Sequence, residues 1–563
     1  MTMKNKFIYI SLLILGLGAA QSCNDLDLNP LSSASSENWY SNADEITMSL
    51  NEMYRKDFYP IETEYWSDRR TDDWAQRDYV YEMCNGSTTS ALSTYSTMWS
   101  NTYKAISRCI RVVESIDRLN DPSLATLRAE ALFFRAYFYG RLVNCWGDAP
   151  FYLKTITTEE SFKMGRTNKD IIKEQVYKDF DEAIAGLPVV NNNRGTYRVT
   201  KGAALALKAR FALRCGDYAE CAARCKDVMD LKEYSLYPSY GGLFRDKGYN
   251  SEVIFSLANS YAYDQTQSMK AFILRTAGGN ATAQPSWDLL AAYECTDGKT
   301  IDESSLFDPH DPYANRDPRC NETFVAPGTE IYGVVYDPHP SAAKVYDDHA
   351  GKEVKNKDTK ANDVYAAYNG CCLRKGAQPE WRDGLYNENP QIIIRYADVL
   401  LMYAEAKNEL GEADASVLDA VNAVRARAYG VDKQEVTKYP SVTVTDQAAL
   451  RKIIRRERRV EFAWEGLRYF DLKRWGLLEK AYSIHYYGLL NKSGLTKYVK
   501  NGNWFWAETP SLDEDGFADF SAMYDKGLIE KYGVHKYDSK VELFPIPNKD
   551  ILINKNLEQN PGY

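Results

Sequence analysis

The chain has 563 residues, a formal net charge of −9 and a charged fraction of 26%. That length exceeds what one small core saturates, so several packed subregions are expected, and the acidic balance excludes the basic footprint of a general nucleic-acid binder. Aromatic residues make up 13%, with 42 Tyr and 11 Trp, and their flat apolar faces and polar tips suit both helix packing and sugar contact.

Taken in chain order, the N-terminus reads as a processing segment. Lys4 and Lys6 precede a short apolar run at 7–20 (FIYISLLILGLGAA). It is shorter than the roughly 20 apolar residues needed to cross a bilayer, so it reads as an export signal. Ala20, Gln21, Ser22 and Cys23 resemble a lipobox, with Ala20 standing where Leu is usual. The expected division is a lipoprotein signal peptide at 1–22, lipidation at Cys23 and a polar tether at 23–36. No other stretch is long and apolar enough to span, so the lipid is the expected membrane contact.

Helical periodicity dominates next, over 37–258. Helices are expected at 43–59, 99–116, 123–146, 170–187, 200–215 and 218–231. The third carries Leu127, Ala131, Phe134, Phe138 and Leu142 at three-to-four spacing and stops at Gly147-Asp148-Ala149-Pro150. Gly216-Asp217 turns the last pair, and Ala203, Ala206 and Ala209 offer small faces for close helix approach. These pairs resemble tetratricopeptide-type units. Between 259 and 394 the periodicity fades into Pro, Gly, Asp, Asn and Tyr, which reads as a loop-rich lobe with minor strand content. Helices return within 395–563, at 396–410, 415–429 and 447–476, with an irregular insert at 482–540 and an extended terminus. The fold class is mainly α: tetratricopeptide-like helix pairs forming a scaffold that carries the irregular lobe.

Besides Cys23 there are ten cysteines, at 84, 109, 145, 215, 221, 225, 295, 320, 371 and 372. Several sit in helical patterns, where Cys behaves as a small hydrophobe. None shows the paired spacing of a structural zinc site, and the five His share no spacing. No metal, no cofactor and no catalytic residue is therefore assigned.

Several segments resemble the SusD/RagB family of nutrient-binding lipoproteins. They are 128–139 (RAEALFFRAYFY) followed by WGDAP at 146–150, 395–406 (RYADVLLMYAEA), 421–427 (VNAVRAR), 454–461 (IRRERRVE) with EGLR at 465–468 and DLKRWG at 471–476, PIP at 545–547, and the terminal QNPGY. They run in family order over nearly the whole chain. The lobe and the 62–95 segment match poorly, and ligand choice would be set there. The resemblance implies a lipid-anchored outer-membrane protein facing the cell exterior. It would bind a glycan and pass it to a SusC-like TonB-dependent transporter, without being an enzyme. A peptide or another nutrient is the alternative ligand. A glycan-cleaving enzyme and a protein-only helical scaffold are the rival classes.

The segment around 454–461 has its own reading. Glu457 and Glu461 fall on the apolar face of Leu450, Ile454 and Trp464 at i+4 steps. A carboxylate taken into a core must be paired. Suitable partners are Arg455, Arg456, Arg458 and Arg459, or Arg427, Arg468 and Arg474 from neighbouring helices. An acid/base pair for glycoside hydrolysis is the rival reading of the two glutamates.

The candidate ligand surface is the segment 65–79. It interleaves Tyr65, Trp66 and Trp74 with Asp68, Arg69, Asp73 and Arg77, pairing stacking faces with bidentate hydrogen-bonding groups. Trp99 and Asn101 open the following helix and could flank it. In the starch-binding member of the family the site is built from similar regions. Trp504, Trp506 and the Tyr residues of the lobe are second candidates.

Overall fold

The computed structural model describes residues 39–59, 65–77, 79–190, 198–246 and 250–563. The expected signal peptide, Cys23 and the tether lie outside the described residues.

The helical part begins with α1 (Ala43–Asn51), whose N-cap Asn42 accepts the Glu45 N–H. The chain then tightens into two 3-10 turns, Glu52–Tyr54 and Lys56–Phe58, so the helix expected to reach 59 is broken. It is followed by α2 (Ser93–Leu119), α3 (Ala125–Trp146), α4 (Lys169–Gly186), α5 (Lys201–Arg214) and α6 (Tyr218–Leu231). Helix α3 stops where Gly147 takes a positive φ of 74°, as the Gly-Asp-Ala-Pro run suggests. Gly216, at φ 76°, turns α5 into α6, and Asp217 caps α6 by accepting the Glu220 N–H. Each helix packs on the next from α2 to α6. Ala203, Ala206 and Ala209 are fully buried. A Cβ on Gly140 of α3 would lie 3.1 Å from the Phe211 ring of α5, so a small residue sets that approach.

The helical array resumes after the lobe. Helix α7 (Tyr396–Glu409) packs on α6 and on α8 (Ala415–Ala428), and α9 (Gln447–Glu461) packs on α7. The lobe is therefore an insertion between consecutive repeat helices. Strands β2 (Val253–Leu257) and β10 (Gln391–Arg395) zip its entry to its exit, antiparallel, with Gln391 opposite Leu257 and Arg395 opposite Val253. Within it lies a four-stranded antiparallel sheet: β5 (Glu330–Ile331), β6 (Val334–Val335), β7 (Lys344–Asp347) and β8 (Lys352–Lys355), in that order. Four further strands matter for the site. β1 (Trp74–Gln76) pairs with β4 (Ala283–Pro285), and β3 (Gln267–Ser268) pairs with β9 (Tyr386–Asn387).

Two apolar cores result. One is built on the helices, around Phe133, Phe138, Leu205, Leu401 and Ile454. The other fills the lobe, around Trp287, Phe324, Trp381 and Trp506. Helix α9 lies between them: Leu450 and Ile454 belong to the first, and Val460 with Trp464, three residues past the helix end, to the second. The helix expected over 447–476 is two helices, α9 and α10 (Arg468–Arg474). Trp464 (φ 62°) and Gly466 (φ 75°) break it. The non-glycine residue in the left-handed region is held there by its indole. Its Nε1–H donates to the Asp73 carbonyl at 3.2 Å, and its ring stacks on Trp74 at 4.9 Å.

Candidate functional site: an exposed aromatic face of the lobe

The expectation of an accessible ligand surface at 65–79 is corrected by the structure for most of its described residues. The segment forms a 3-10 turn, Tyr65–Arg70, and then β1, wedged between the lobe and α9. Trp74 is 1% exposed and sits between Trp464 and Phe272. Asp68 is buried and accepts the Gly466 N–H at 3.0 Å. Burial, with repulsion from Asp73, pushes its carboxyl up to about 7. Asp73 is buried beside the Arg459 guanidinium at 2.7 Å. Trp99 is likewise core, packed against Trp146 and Tyr103. Asp68, Asp73, Trp74 and Trp99 are thus not on an accessible surface.

The cause is the signature helix. Arg459 reaches Asp72 (2.8 Å), Asp73 and Asp288, and Arg468 reaches Asp72 (2.7 Å). Burial opposes the charge on Asp72, but the two guanidiniums outweigh it and hold its carboxyl well below the usual range. Burial pushes Asp288 up to about 7. Asp72 and Asp73 are the counter-ions of α9 and α10.

Glu457 and Glu461 are buried and ion-paired as expected, but with other partners than most of those expected. Arg319 holds both, at 2.7 and 2.9 Å. Arg425 binds Glu457 at 2.7 Å, and Arg395 and Arg427 bind Glu461. The arginines one and two positions away on α9 point elsewhere, since such neighbours do not share a helix face: Arg458 pairs with Asp398 and Asp471, and Arg459 with the 72–73 acids. This is a structural lattice locked between α8, α9 and the lobe, and both glutamates are interior rather than facing a cleft.

The other residues of the expected surface have separate fates. Arg69 is half-buried with its guanidinium 4.5 Å from the Tyr81 ring. Asn101 is half-buried and donates to the Asp57 carbonyl at 3.0 Å. The side chains of Tyr65 and Trp66 lie outside the described residues. Trp506 is core, whereas Trp504 is half-buried with its ring against His339. The ten cysteines from 84 to 372 are free thiols, and all but Cys215 are buried.

Arg77 leads to a surface that the 65–79 reading missed. Its guanidinium lies 5.2 Å from the Tyr365 ring and donates to the Tyr365 carbonyl. Arg275 flanks the same ring at 5.5 Å and is held by Asp363 at 3.2 Å. Tyr365 is 56% exposed. The Arg77 N–H pairs with the Thr282 carbonyl, and Thr282 pairs with Ala271. Two residues back, Met269 pairs with Leu385, next to Tyr386 on β9. There a second group stands out: Tyr261 (61% exposed) meets Tyr386 at 4.8 Å, and Tyr263 is 81% exposed. One run of backbone pairing therefore links Arg77, whose guanidinium meets Tyr365, to Tyr386, whose ring meets Tyr261. Flat rings beside fixed guanidiniums and carboxylates can stack on the CH-rich face of a sugar while bonding its hydroxyls. Single Tyr residues within 259–394 gave no periodic signal, because loops rather than a helix or strand period place them.

A helical-repeat scaffold with an inserted loop-rich lobe is the class that this architecture defines. Residues 251–563 match the model of the SusD family, and residues 26–213 match a model described as starch-binding associating with outer membrane. The chain belongs to the SusD family. It is 28% identical over 400 residues to SusD-like protein P25 of Formosa agariphila, covering 68% of this chain and 70% of that protein. A SusD-like protein of Bacteroides ovatus is 22% identical across 99% of this chain and 98% of its own. Among solved structures, a SusD-like carbohydrate binding protein from Bacteroides fragilis superposes with a TM-score of 0.75 at 25% identity, covering 92% of this chain and 99% of that one. A laminarin binding SusD-like protein shares the fold, with a TM-score of 0.60 at 20% identity over 93% of this chain and 100% of its own.

Proposed function

We propose that this protein is a surface lipoprotein that binds an extracellular glycan and delivers it to a SusC-like TonB-dependent transporter. Cys23 carries the lipid and holds the protein at the outer membrane, facing outward. The glycan lies on the lobe's tyrosine face, Tyr261, Tyr263, Tyr386 and Tyr365, with Arg77 and Arg275 as its directional partners. Tyr65 and Trp66 belong to the same proposal on sequence grounds. The observation that carries this reading is the paired, exposed Tyr261 and Tyr386 rings with Tyr263 beside them, on a protein whose other large aromatics are mostly interior. The carbohydrate-binding relative supports the ligand class.

The test is calorimetry of the full mature chain against plant, host and microbial polysaccharides, with a peptide panel alongside. Tyr261→Ala and Tyr386→Ala are expected to weaken the best glycan by about tenfold or more, since stacked aromatics commonly dominate such sites. Wild-type affinity in both variants, or saturable binding of peptides alone, overturns the reading.

A further inference from the structure

A cavity of about 680 Å³ opens in the helical scaffold, between the end of α3, the start of α4, the end of α5 and α10. No residue of the 259–394 lobe lines it, so it is separate from the tyrosine face. Its volume is in the range of pockets that hold small molecules.

Its charge runs against the rest of the molecule. The chain is acidic overall, and its interior guanidiniums are largely ion-paired. On the wall of this cavity Arg166 instead bonds neutral oxygens: the carbonyls of Asp148 (2.9 Å), Trp146 (3.2 Å) and Glu558 (3.1 Å), and the Asn560 side chain (2.6 Å). Lys473 is half-buried and donates to the Asn144 carbonyl at 2.8 Å. Among the described residues neither forms an ion pair, and the same holds for Lys169 and Lys173 at the mouth.

The acids of the wall offset this only in part. Glu542 accepts the Tyr537 hydroxyl at 3.1 Å, and Asp148 accepts the Lys169 backbone N–H at 2.8 Å. Asp170 lies exposed in the first turn of α4. The lysines crowd one another: Lys473 is lowered first by burial, with repulsion from Lys169 and Arg214 added and Glu542 opposing. The positive end of the α4 dipole adds to the same field. The one aromatic ring on the wall among the described residues, Phe470, is covered by the Arg214 guanidinium at 3.7 Å. The cavity thus offers charge where the lobe offers stacking.

We infer that this cavity is a second ligand site, taking an oxyanionic group (carboxylate, sulfate or phosphate) on a ligand of one or two sugar rings in size. Lys473 and Arg166 sit on its inner wall, and Lys169 and Lys173 gather the anion at the mouth. The ligand is either an acidic saccharide or a free inorganic anion.

The experiment titrates the full mature chain with digalacturonate, inorganic sulfate and inorganic phosphate at low ionic strength, where such attraction is least screened. Maltose serves as the neutral control. Two variants accompany the wild type: the mouth double variant Lys169→Gln/Lys173→Gln and the inner variant Lys473→Gln. Lys169 is exposed and Lys173 half-buried, and neither forms an ion pair among the described residues, so that variant is expected to melt like the wild type. Saturable binding of at least one anion, weakened about tenfold or more in the mouth variant, supports the site. Digalacturonate alone assigns an acidic saccharide, and sulfate or phosphate alone assigns a free anion. No saturable binding of any of the three, or unchanged affinity in both variants, overturns it. Tyr261→Ala is expected to leave anion binding intact, so this result and that of the tyrosine face fail separately.

Discussion

Replacing Arg459 by Met is the most informative perturbation of the fold. The guanidinium is buried and meets three carboxylates, those of Asp72, Asp73 and Asp288. Met keeps most of the stem volume, so the main effect is electrostatic. Asp72 retains Arg468 at 2.7 Å, but Asp73 keeps it only at 4.0 Å, and Asp288 keeps only the Ala518 N–H at 2.7 Å. Stranding a buried charge in this way costs about 3–5 kcal/mol. With about 2.1 cal/mol/K per residue, the unfolding entropy of this chain is about 1.2 kcal/mol/K, so Tm is expected to fall by about 2.5–4 °C. Scanning calorimetry at pH 8 measures it. Adding Asp288→Asn is expected to return part of the loss, because it removes one stranded charge. A single variant that melts within about 1 °C of wild type refutes the hub. A double variant no more stable than the single one refutes the stranded-charge explanation.

Three further outcomes are expected. Trp74→Ala removes an indole packed between Trp464 and Phe272 and costs about 3–5 kcal/mol, whereas Tyr365→Ala changes stability by less than about 0.5 kcal/mol; parallel denaturant titrations test the contrast. The melting temperature rises from pH 8 to pH 5 and falls again below about pH 4. Asp68 and Asp288, raised to about 7, give stability that is complete below their unfolded value and lost as pH rises through 7. Asp398, held at about 2 by Arg210 and Arg458 despite burial, gives stability lost as pH falls through that value, and a flat profile from pH 8 to 5 counts against the two raised carboxyls. Cys23→Ala is expected to move the protein from the membrane to the soluble fraction without lowering its Tm, as one lipidated residue is the proposed anchor; fractionation in a strain lacking the transporter checks it.

How much was legible in the sequence depended on whether a period carried the information. The 3.6-residue period placed α3, α4, α5, α6, α7 and α8 to within one or two residues. The Gly216-Asp217 turn followed from chemistry local to the chain. Glu457 and Glu461 could be assigned to the interior from their i+4 spacing on an apolar face. Their partners could not, because Arg319 lies in the lobe and Arg395 at its exit, each far away in sequence. The same lack of long-range information misplaced 65–79. Alternating acids, arginines and tryptophans look the same whether they meet a sugar or a basic helix, and local composition does not say which. Trp464 was expected to continue a helix. Its left-handed turn depends on Trp74 and the Asp73 carbonyl, nearly four hundred positions earlier.

The misplacement bears on how recognition is built in this chain. Segment 68–74 is largely buried, yet it helps to position the tyrosine face proposed to bind the glycan. Asp72 and Asp73 tie it to α9, Trp74 anchors β1 to β4, and Arg77 follows the strand directly, three residues beyond the buried indole. Arg77 then reaches the exposed Tyr365. A change at Arg459 should therefore act at a distance, by loosening the register that presents Arg77. Affinity for glycan would fall in Arg459→Met even in its folded fraction, while anion binding in the scaffold cavity, whose walls are α3, α4, α5 and α10, would be less affected. Calorimetry of that variant below its melting transition, with both ligand classes, separates the two. Equal losses of glycan and anion affinity would mean a general loosening of the fold, and unchanged glycan affinity would mean that β1 holds its register without the α9 ion pairs.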